Sequence, residues 1–160
     1  MSIRLIVKEP DEVLHKKAKE VTKITPNVRK LMDDMAETMY DADGVGLAAP
    51  QVGILKRIIV IDAGDENGLI AMINPEIVER DGEQFGAEGC LSIPGFQGDV
   101  RRAMTVTVKG LDREGAEFTV TGSELLARAF QHEIDHLDGV LFTDIAENVY
   151  DIVPDSAAKE

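Results

Sequence analysis

The sequence predicts an α+β fold in which antiparallel or mixed β-sheets surround a central helix, with an amphipathic helix nearer the N-terminus. Two observations carry this prediction: strand-like runs follow one another along the middle of the chain, and a helical segment flanks them on each side. The chain has 160 residues, 44% of them hydrophobic, and can bury a core without cross-links. We therefore expect one globular domain.

The first helix is predicted from Thr25, which can cap its N-terminus, with Pro26 at the first helical position. Its apolar residues recur three and four positions apart and so share one face: Val28, Leu31, Met32, Met35 and Met39. We interpret this face as core packing rather than as a cofactor site, because methionine fills irregular gaps in protein cores.

A glycine-punctuated segment at 44–53 ends this helix, and strands are then expected at 57–62, 71–79, 104–110 and 117–122. A last helix follows, with Ser123 as its expected cap and Gly139 as its end. We expect the domain to cover residues 1–147 and a short acidic tail to follow at 148–160.

Charge and composition narrow the class of protein. The 30 acidic and 17 basic residues give a net charge of −13, and such a surface would repel a nucleic-acid backbone. The sequence shows neither the pattern of a secretory signal nor an apolar run long enough to span a membrane, so we expect a cytoplasmic protein. Cys90 is the only cysteine, which excludes an intrachain disulfide.

The last helix contains the pattern H-E-x-x-H, formed by His132, Glu133 and His136. Residues four apart share a helix face, so the two imidazoles should lie one turn apart with the carboxylate beside them. Each histidine could instead bond to a backbone carbonyl, but two at this spacing favour a metal. The third ligand is then Cys90 or a carboxylate, which leaves one position for water. Cys90 lies in EGCLSIPG, which we expect to be a loop of small residues.

Three segments resemble the signature motifs of peptide deformylases in their order and separation: GVGLAAPQ at 44–51, EGCLS at 88–92 and QHEIDHLDG at 131–139. Each motif alone is a weak signal, but three in order are a strong one, and the resemblance covers nearly the whole chain. It implies an α+β fold with a catalytic domain at 1–147. It also implies an enzyme that removes the formyl group from N-formylmethionyl peptides.

The same resemblance implies a metal site whose ligands are Cys90, His132 and His136, with Glu133 as the general acid and base. The native metal would be Fe(II), with Zn(II), Ni(II) or Co(II) able to occupy the site. A metal ion lowers the pKa of a bound water from about 15.7 toward about 7. A carboxylate beside it can take that proton and return it to the leaving amine.

Further residues are implied for the substrate. The amide of Gln51 and the backbone N–H of Leu91 would stabilise the charge that develops on the formyl oxygen. An extended peptide would be held by the backbone of Gly44, Val45, Gly46 and Gly89. An apolar pocket for the methionine side chain would be lined by Val45, Leu125 and Ala129. Without the flanking glycines, Gln51 would be interpreted as an exposed turn glutamine, and core packing is the alternative role of Leu125.

Three features bear on the shape of the pocket, the surroundings of the metal and the partners of the protein. Arg128 lies one turn before His132, and we expect its stem to cover the pocket while its guanidinium reaches water. Glu88 is expected either to pair with Arg101 or Arg102 or to be solvated. The acidic tail is a poor ligand for ribosomal RNA, so docking on the ribosome through this tail is not expected.

Two other functions are compatible with H-E-x-x-H. A zinc endopeptidase uses the same helix but normally takes His or Glu as its third ligand, so EGCLS discriminates against it. A non-catalytic metal-binding or interaction domain would be favoured if Glu133 or Gln51 were replaced, and both are present.

Overall fold

The computed structural model describes residues 2–152, so most of the expected acidic tail lies outside the described residues. Its helices are α1 (Pro26–Asp41), α2 (Leu125–Leu137) and the short α3 (Phe142–Ile145), and 3-10 turns lie at Glu12–His15 and Ala49–Val52. The strands are β1 (Gly46–Ala48), β2 (Ile58–Asp62), β3 (Leu69–Asp81), β4 (Gln84–Cys90), β5 (Ile93–Arg102), β6 (Thr105–Leu111), β7 (Glu117–Ser123) and β8 (Asn148–Asp151).

The strands form two sheets, one of five strands in the order β1-β2-β3-β6-β7 and one of three in the order β4-β5-β8. Neighbouring strands in both sheets are antiparallel. The predicted α+β class is therefore confirmed. β1 and β4 are each an edge strand of their sheet, and each therefore has a row of backbone groups that no strand between residues 2 and 152 pairs.

The five-stranded sheet lies between α1 and α2, and the side chains of β2 show why. Successive side chains of a strand point to opposite faces of the sheet. Ile59 and Ile61 belong to the apolar cluster that contains Phe130 of α2. Ile58 and Val60 belong to the cluster of α1. Because β2 is covered on both faces, its sequence is a continuous apolar run rather than an alternating one.

α1 begins as the sequence predicts. The hydroxyl of Thr25 accepts a hydrogen bond of 3.2 Å from the N–H of Val28, and Pro26 occupies the first turn. The five apolar residues predicted to share a face are all buried. The interpretation of the methionine-rich face as core packing is thus confirmed.

The predicted start of α2 was wrong. Ser123 does not cap the helix because it is the last residue of β7, where its hydroxyl lies 2.8 Å from the hydroxyl of Thr105. The chain turns into α2 at Glu124, which has a φ of 55° and makes no capping bond with its side chain.

Sequence reasoning also missed four strands, which are β1, β4, β5 and β8. The segment EGCLSIPG is not a loop, because β4 runs to Cys90 and β5 starts at Ile93 after only two residues. β8 forms at the start of the expected tail and pairs with β5. The predicted domain boundary after residue 147 stays a prediction. None of the helices described between residues 2 and 152 is long and apolar enough to cross a membrane.

Candidate metal centre

The histidines of α2 lie on one buried face, as their spacing predicts. His132 is 8% exposed and His136 is fully buried. Their Nε2 atoms are 3.2 Å apart, and their rings meet edge to face. Two ring nitrogens that face one another at this distance need a proton or a metal ion between them.

Cys90 joins the two histidines from the end of β4. Its Sγ lies 3.3 Å from Nε2 of His136, and the ligand atoms of all three residues lie within 4.8 Å of one another. Tetrahedral coordination with ordinary bond lengths separates such N and S ligand atoms by about 3.4–3.6 Å. The three side chains therefore fit one metal ion, with a thiolate and two imidazoles as its donors.

Glu88 fixes the orientation of His132. Its carboxylate lies 2.8 Å from Nδ1 of His132, so that nitrogen carries the proton and Nε2 keeps the lone pair that a metal ligand requires. Arg102 donates two hydrogen bonds to the same carboxylate, of 2.8 and 2.9 Å. Burial opposes ionisation of Glu88, but the bonds from Arg102 and His132 hold the pKa of its carboxyl well below its usual range.

Two expectations about this region need correction. Glu88 is 5% exposed and pairs with Arg102, so the expected pairing with one of the two arginines is confirmed and the solvated alternative was wrong. The Nη1 atom of Arg128 does not reach out to water, because the guanidinium turns inward and this nitrogen donates a 2.6 Å bond to Glu88. The buried carboxylate attracts it more strongly than solvent does, since charge-assisted bonds strengthen where water is excluded.

Glu133 points into the same space with one oxygen unpaired. Its Oε1 is buried and has no hydrogen-bond partner among residues 2–152. Burial raises the pKa of this carboxyl to about 7, against the opposing effect of His132. A Cβ atom added at Gly46 would lie 2.6 Å from the other oxygen, so glycine there leaves room for the carboxylate.

Gln51 is held with its amide nitrogen toward the site. Its Oε1 accepts a 2.9 Å bond from the N–H of Ala48, which leaves Nε2 facing Cys90 at 3.6 Å and Ser92 at 3.1 Å. Gln51 is 1% exposed, so the alternative of an exposed turn glutamine was wrong. Its amide can donate to a group bound beside the thiol.

A pocket of about 320 Å³ opens beside these residues. It lies between the edge strands β1 and β4 and is floored by α2. Every residue that the sequence analysis proposed for the site lines it except His136, which is buried behind His132: Gly44, Val45, Gly46, Gln51, Gly89, Cys90, Leu91, Leu125, Ala129, His132 and Glu133. Leu125 is 47% exposed, which excludes a purely core role.

Sequence reasoning missed Ser92, Asp135 and the contact of Glu88 with His132. Asp135 accepts a 2.6 Å bond from Arg102 and so extends the charged network behind the histidines. Alternation along a strand could have indicated Glu88, because residues two apart, such as Glu88 and Cys90, share a strand face. That signal was lost because the segment was taken for a loop.

Comparison with known proteins identifies relatives along nearly the whole chain. The sequence model of the polypeptide deformylase family matches residues 3–150. A peptide deformylase of Acetivibrio thermocellus is 60% identical over 144 residues, which is 90% of this chain and 84% of that protein. A peptide deformylase of Thermoanaerobacter pseudethanolicus is 56% identical over 160 residues, covering 100% of this chain and 99% of the relative.

Solved structures resemble this fold equally closely. The crystal structure of a peptide deformylase from Legionella pneumophila superposes with a TM-score of 0.87 at 52% identity, covering 91% of this chain and 87% of that one. A peptide deformylase from Synechococcus elongatus, solved in complex with actinonin, gives a TM-score of 0.84 at 46% identity over 89% of this chain and 78% of its own.

Proposed function

The chain belongs to the polypeptide deformylase family, metal-dependent enzymes that remove the formyl group from N-formylmethionine, and from that premise we propose the roles of its own residues. Cys90, His132 and His136 hold the metal. The observation that supports this assignment is the convergence of their three ligand atoms within 4.8 Å at the floor of the pocket. The proton on Nδ1 of His132 supports it further, because it leaves Nε2 available for the metal.

The metal we propose is Fe(II), with Zn(II), Ni(II) or Co(II) able to take its place. A thiolate with two imidazoles is a donor set that all four ions accept. When bound, the metal supplies the Lewis acidity that makes water nucleophilic at neutral pH. Side chains and backbone groups of the protein carry out the other steps of the reaction.

Glu133 moves the protons of the reaction. Its buried carboxylate has an oxygen without a partner among residues 2–152, and its pKa of about 7 suits both proton uptake and proton release. It takes a proton from the attacking water and delivers it to the nitrogen of the departing amine. The C–N bond of the formamide then breaks and formate is released.

Gln51 and the backbone N–H of Leu91 stabilise the formyl oxygen as it becomes negative. The amide of Gln51 is already oriented by Ala48 and loses no orientation as the charge develops. Leu91 follows Cys90 directly in the short turn between β4 and β5 and lines the same pocket.

The substrate peptide lies extended between the two sheet edges. One edge offers the backbone of Gly46 in β1 and of Gly44 and Val45 just before it, and β4 offers that of Gly89. Val45, Leu125 and Ala129 form the apolar walls that receive the methionine side chain. We propose nascent formylmethionyl peptides in the cytoplasm as the substrates, without direct nucleic-acid contact. Ribosome association lacks support from the acidic tail.

Formate release tests this proposal directly. Metal-loaded protein should release formate from formyl-Met peptides much faster than from formyl-Lys peptides, since an unpaired charge in an apolar pocket is costly. Equal rates across these substrates would contradict the methionine pocket. Cleavage of an internal bond in an unformylated peptide would instead favour a zinc endopeptidase, and metal binding without any turnover would favour a non-catalytic domain.

A further inference from the structure

We propose that Arg128 determines substrate specificity by donating hydrogen bonds into the methionine pocket. The pocket would bind formyl peptides whose first side chain carries a hydrogen-bond acceptor near its end, such as methionine sulfoxide or glutamine. This inference rests on the proposed function, because it concerns the same pocket and the same reaction.

The first observation is how the guanidinium is held. All the hydrogen bonds of the Arg128 guanidinium within residues 2–152 are made by Nη1, which contacts Glu88 at 2.6 Å and the carbonyls of Val100 and Gly86 at 3.3 and 3.4 Å. Gly86 and Val100 are opposite one another in the β4–β5 ladder, so the guanidinium is anchored across both strands. Its orientation is therefore fixed before a substrate arrives.

The anchoring through Nη1 leaves the other two nitrogens of the guanidinium without a hydrogen-bond partner among residues 2–152. No atom of residues 2–152 accepts a hydrogen bond from Nε or Nη2 of Arg128, although the side chain is only 11% exposed and lines the pocket. Neither nitrogen is sealed from solvent. These donors therefore open to the pocket or to the water that fills it.

The guanidinium of Arg128 lies against β4 at Gly86. A Cβ atom at position 86 would lie 3.4 Å from Nη2 of Arg128, which is an ordinary van der Waals contact. Arg128 lines the pocket together with Val45, Leu125 and Ala129, so its guanidinium adds a polar wall to these apolar residues. The wall is planar, positively charged and rich in N–H donors.

A mixed wall of this kind changes which side chains bind. Methionine keeps its apolar contacts and offers only a weak acceptor sulfur. Methionine sulfoxide has nearly the same shape but carries a strong acceptor oxygen that the guanidinium can meet. A purely apolar pocket would reject the sulfoxide, because its oxygen would be buried without a partner. A lysine side chain finds a like charge and is rejected more strongly.

The test compares two matched substrates, a formyl-Met-sulfoxide peptide and a formyl-norleucine peptide, by the ratio of their kcat/KM values. The Arg128→Met variant should lower the sulfoxide-to-norleucine ratio about tenfold or more, as expected for loss of a charged hydrogen-bond donor. Arg101→Met is the matched control, because Arg101 has the same charge and lies on β5 but does not line the pocket. It should leave the ratio within about twofold.

The ratio of the two kcat/KM values distinguishes a loss of side-chain recognition from a general loss of activity. If Arg128 only supports Glu88 and the histidine, both substrates would slow equally and an unchanged ratio would overturn this inference while formyl-Met is still cleaved. If the variant does not fold, the wild-type ratio decides: a value near or above about 1 supports the inference, and a tenfold or greater preference for norleucine overturns it. Failure of the wild type on all formyl peptides would overturn the proposed function and this inference with it.

Discussion

The surroundings of Glu133 indicate a catalytic role for its carboxylate. Glu133 is 4% exposed, and Gly46 leaves space beside it. Its Oε1 has no hydrogen-bond partner among residues 2–152. A carboxylate that only stabilised the fold would be hydrogen-bonded, since buried polar groups normally are. The unpaired oxygen therefore indicates a group that works on water or substrate.

The Glu133→Ala variant should keep its metal and lose turnover by about 10²–10⁴-fold or more, because the carboxylate moves protons and is not a ligand. Metal content per chain and formate release measure the two effects separately. Asp138→Ala, which removes an exposed carboxylate next to the end of α2, is the control. A Glu133→Ala protein with near wild-type turnover would contradict the assigned role.

Gln51→Ala should lower kcat by about 10²–10³-fold with unchanged metal content, as expected when one oxyanion donor is removed. The reason lies in its geometry, since Nε2 faces the thiol at 3.6 Å without being part of the ligand set. Steady-state kinetics separate kcat from KM. An effect confined to KM would show that Gln51 binds the substrate rather than the developing charge.

At the scale of the elements, local sequence patterns predicted part of the fold. α1 follows from the spacing of its apolar residues, β2 from a short continuous apolar run, and the shared face of the two histidines of α2 from their separation by four residues. β4 and β5 could not be predicted, since glycines and charged residues dominate them and their pairing is set by the rest of the fold. The inward orientation of the Arg128 guanidinium could not be predicted either. It depends on the hydrogen bond to Glu88, and Glu88 is buried only because the folded chain packs around it.

α1 also anchors the N-terminal segment through Asp34. Its carboxylate accepts hydrogen bonds of 2.9 Å from Lys30, 2.8 Å from the backbone N–H of Ser2 and 3.0 Å from Arg4. Burial raises the pKa of Asp34, but these bonds outweigh it and lower the pKa from 3.8 to about 2. The charged form of this carboxylate therefore stabilises the fold.

The sign of the pH dependence follows from that lowered pKa. Asp34 contributes its stability above the unfolded pKa, and the contribution is lost as the pH falls toward about 2. We expect Asp34→Asn to lower the free energy of unfolding by about 1 kcal/mol at pH 7, since solvent screens the partly exposed Lys30 and Arg4. Denaturant curves should show the difference shrinking below pH 4. Asp33→Asn, whose carboxylate is more exposed, is the control, and an Asp34 effect that ignores pH would contradict this account.

At the scale of the whole molecule, the site exists only where both sheets meet α2. β1 comes from the five-stranded sheet, β4 from the three-stranded sheet, and the histidines from the helix between them. This explains why the three motifs are far apart in sequence and why each alone is a weak signal. It also couples the metal to the fold, because a ligand set drawn from separate elements assembles only in the folded chain.

The central claim is that Cys90 of the second sheet completes a metal site with two histidines of α2, and the Cys90→Ser variant tests it most directly. Wild-type protein purified without oxygen should hold about one iron per chain and release formate from formyl-Met peptides. The variant should hold far less iron and lose most activity, because a hydroxyl is a poor substitute for a thiolate ligand. A variant that binds iron stoichiometrically and deformylates at the wild-type rate would contradict the proposed site.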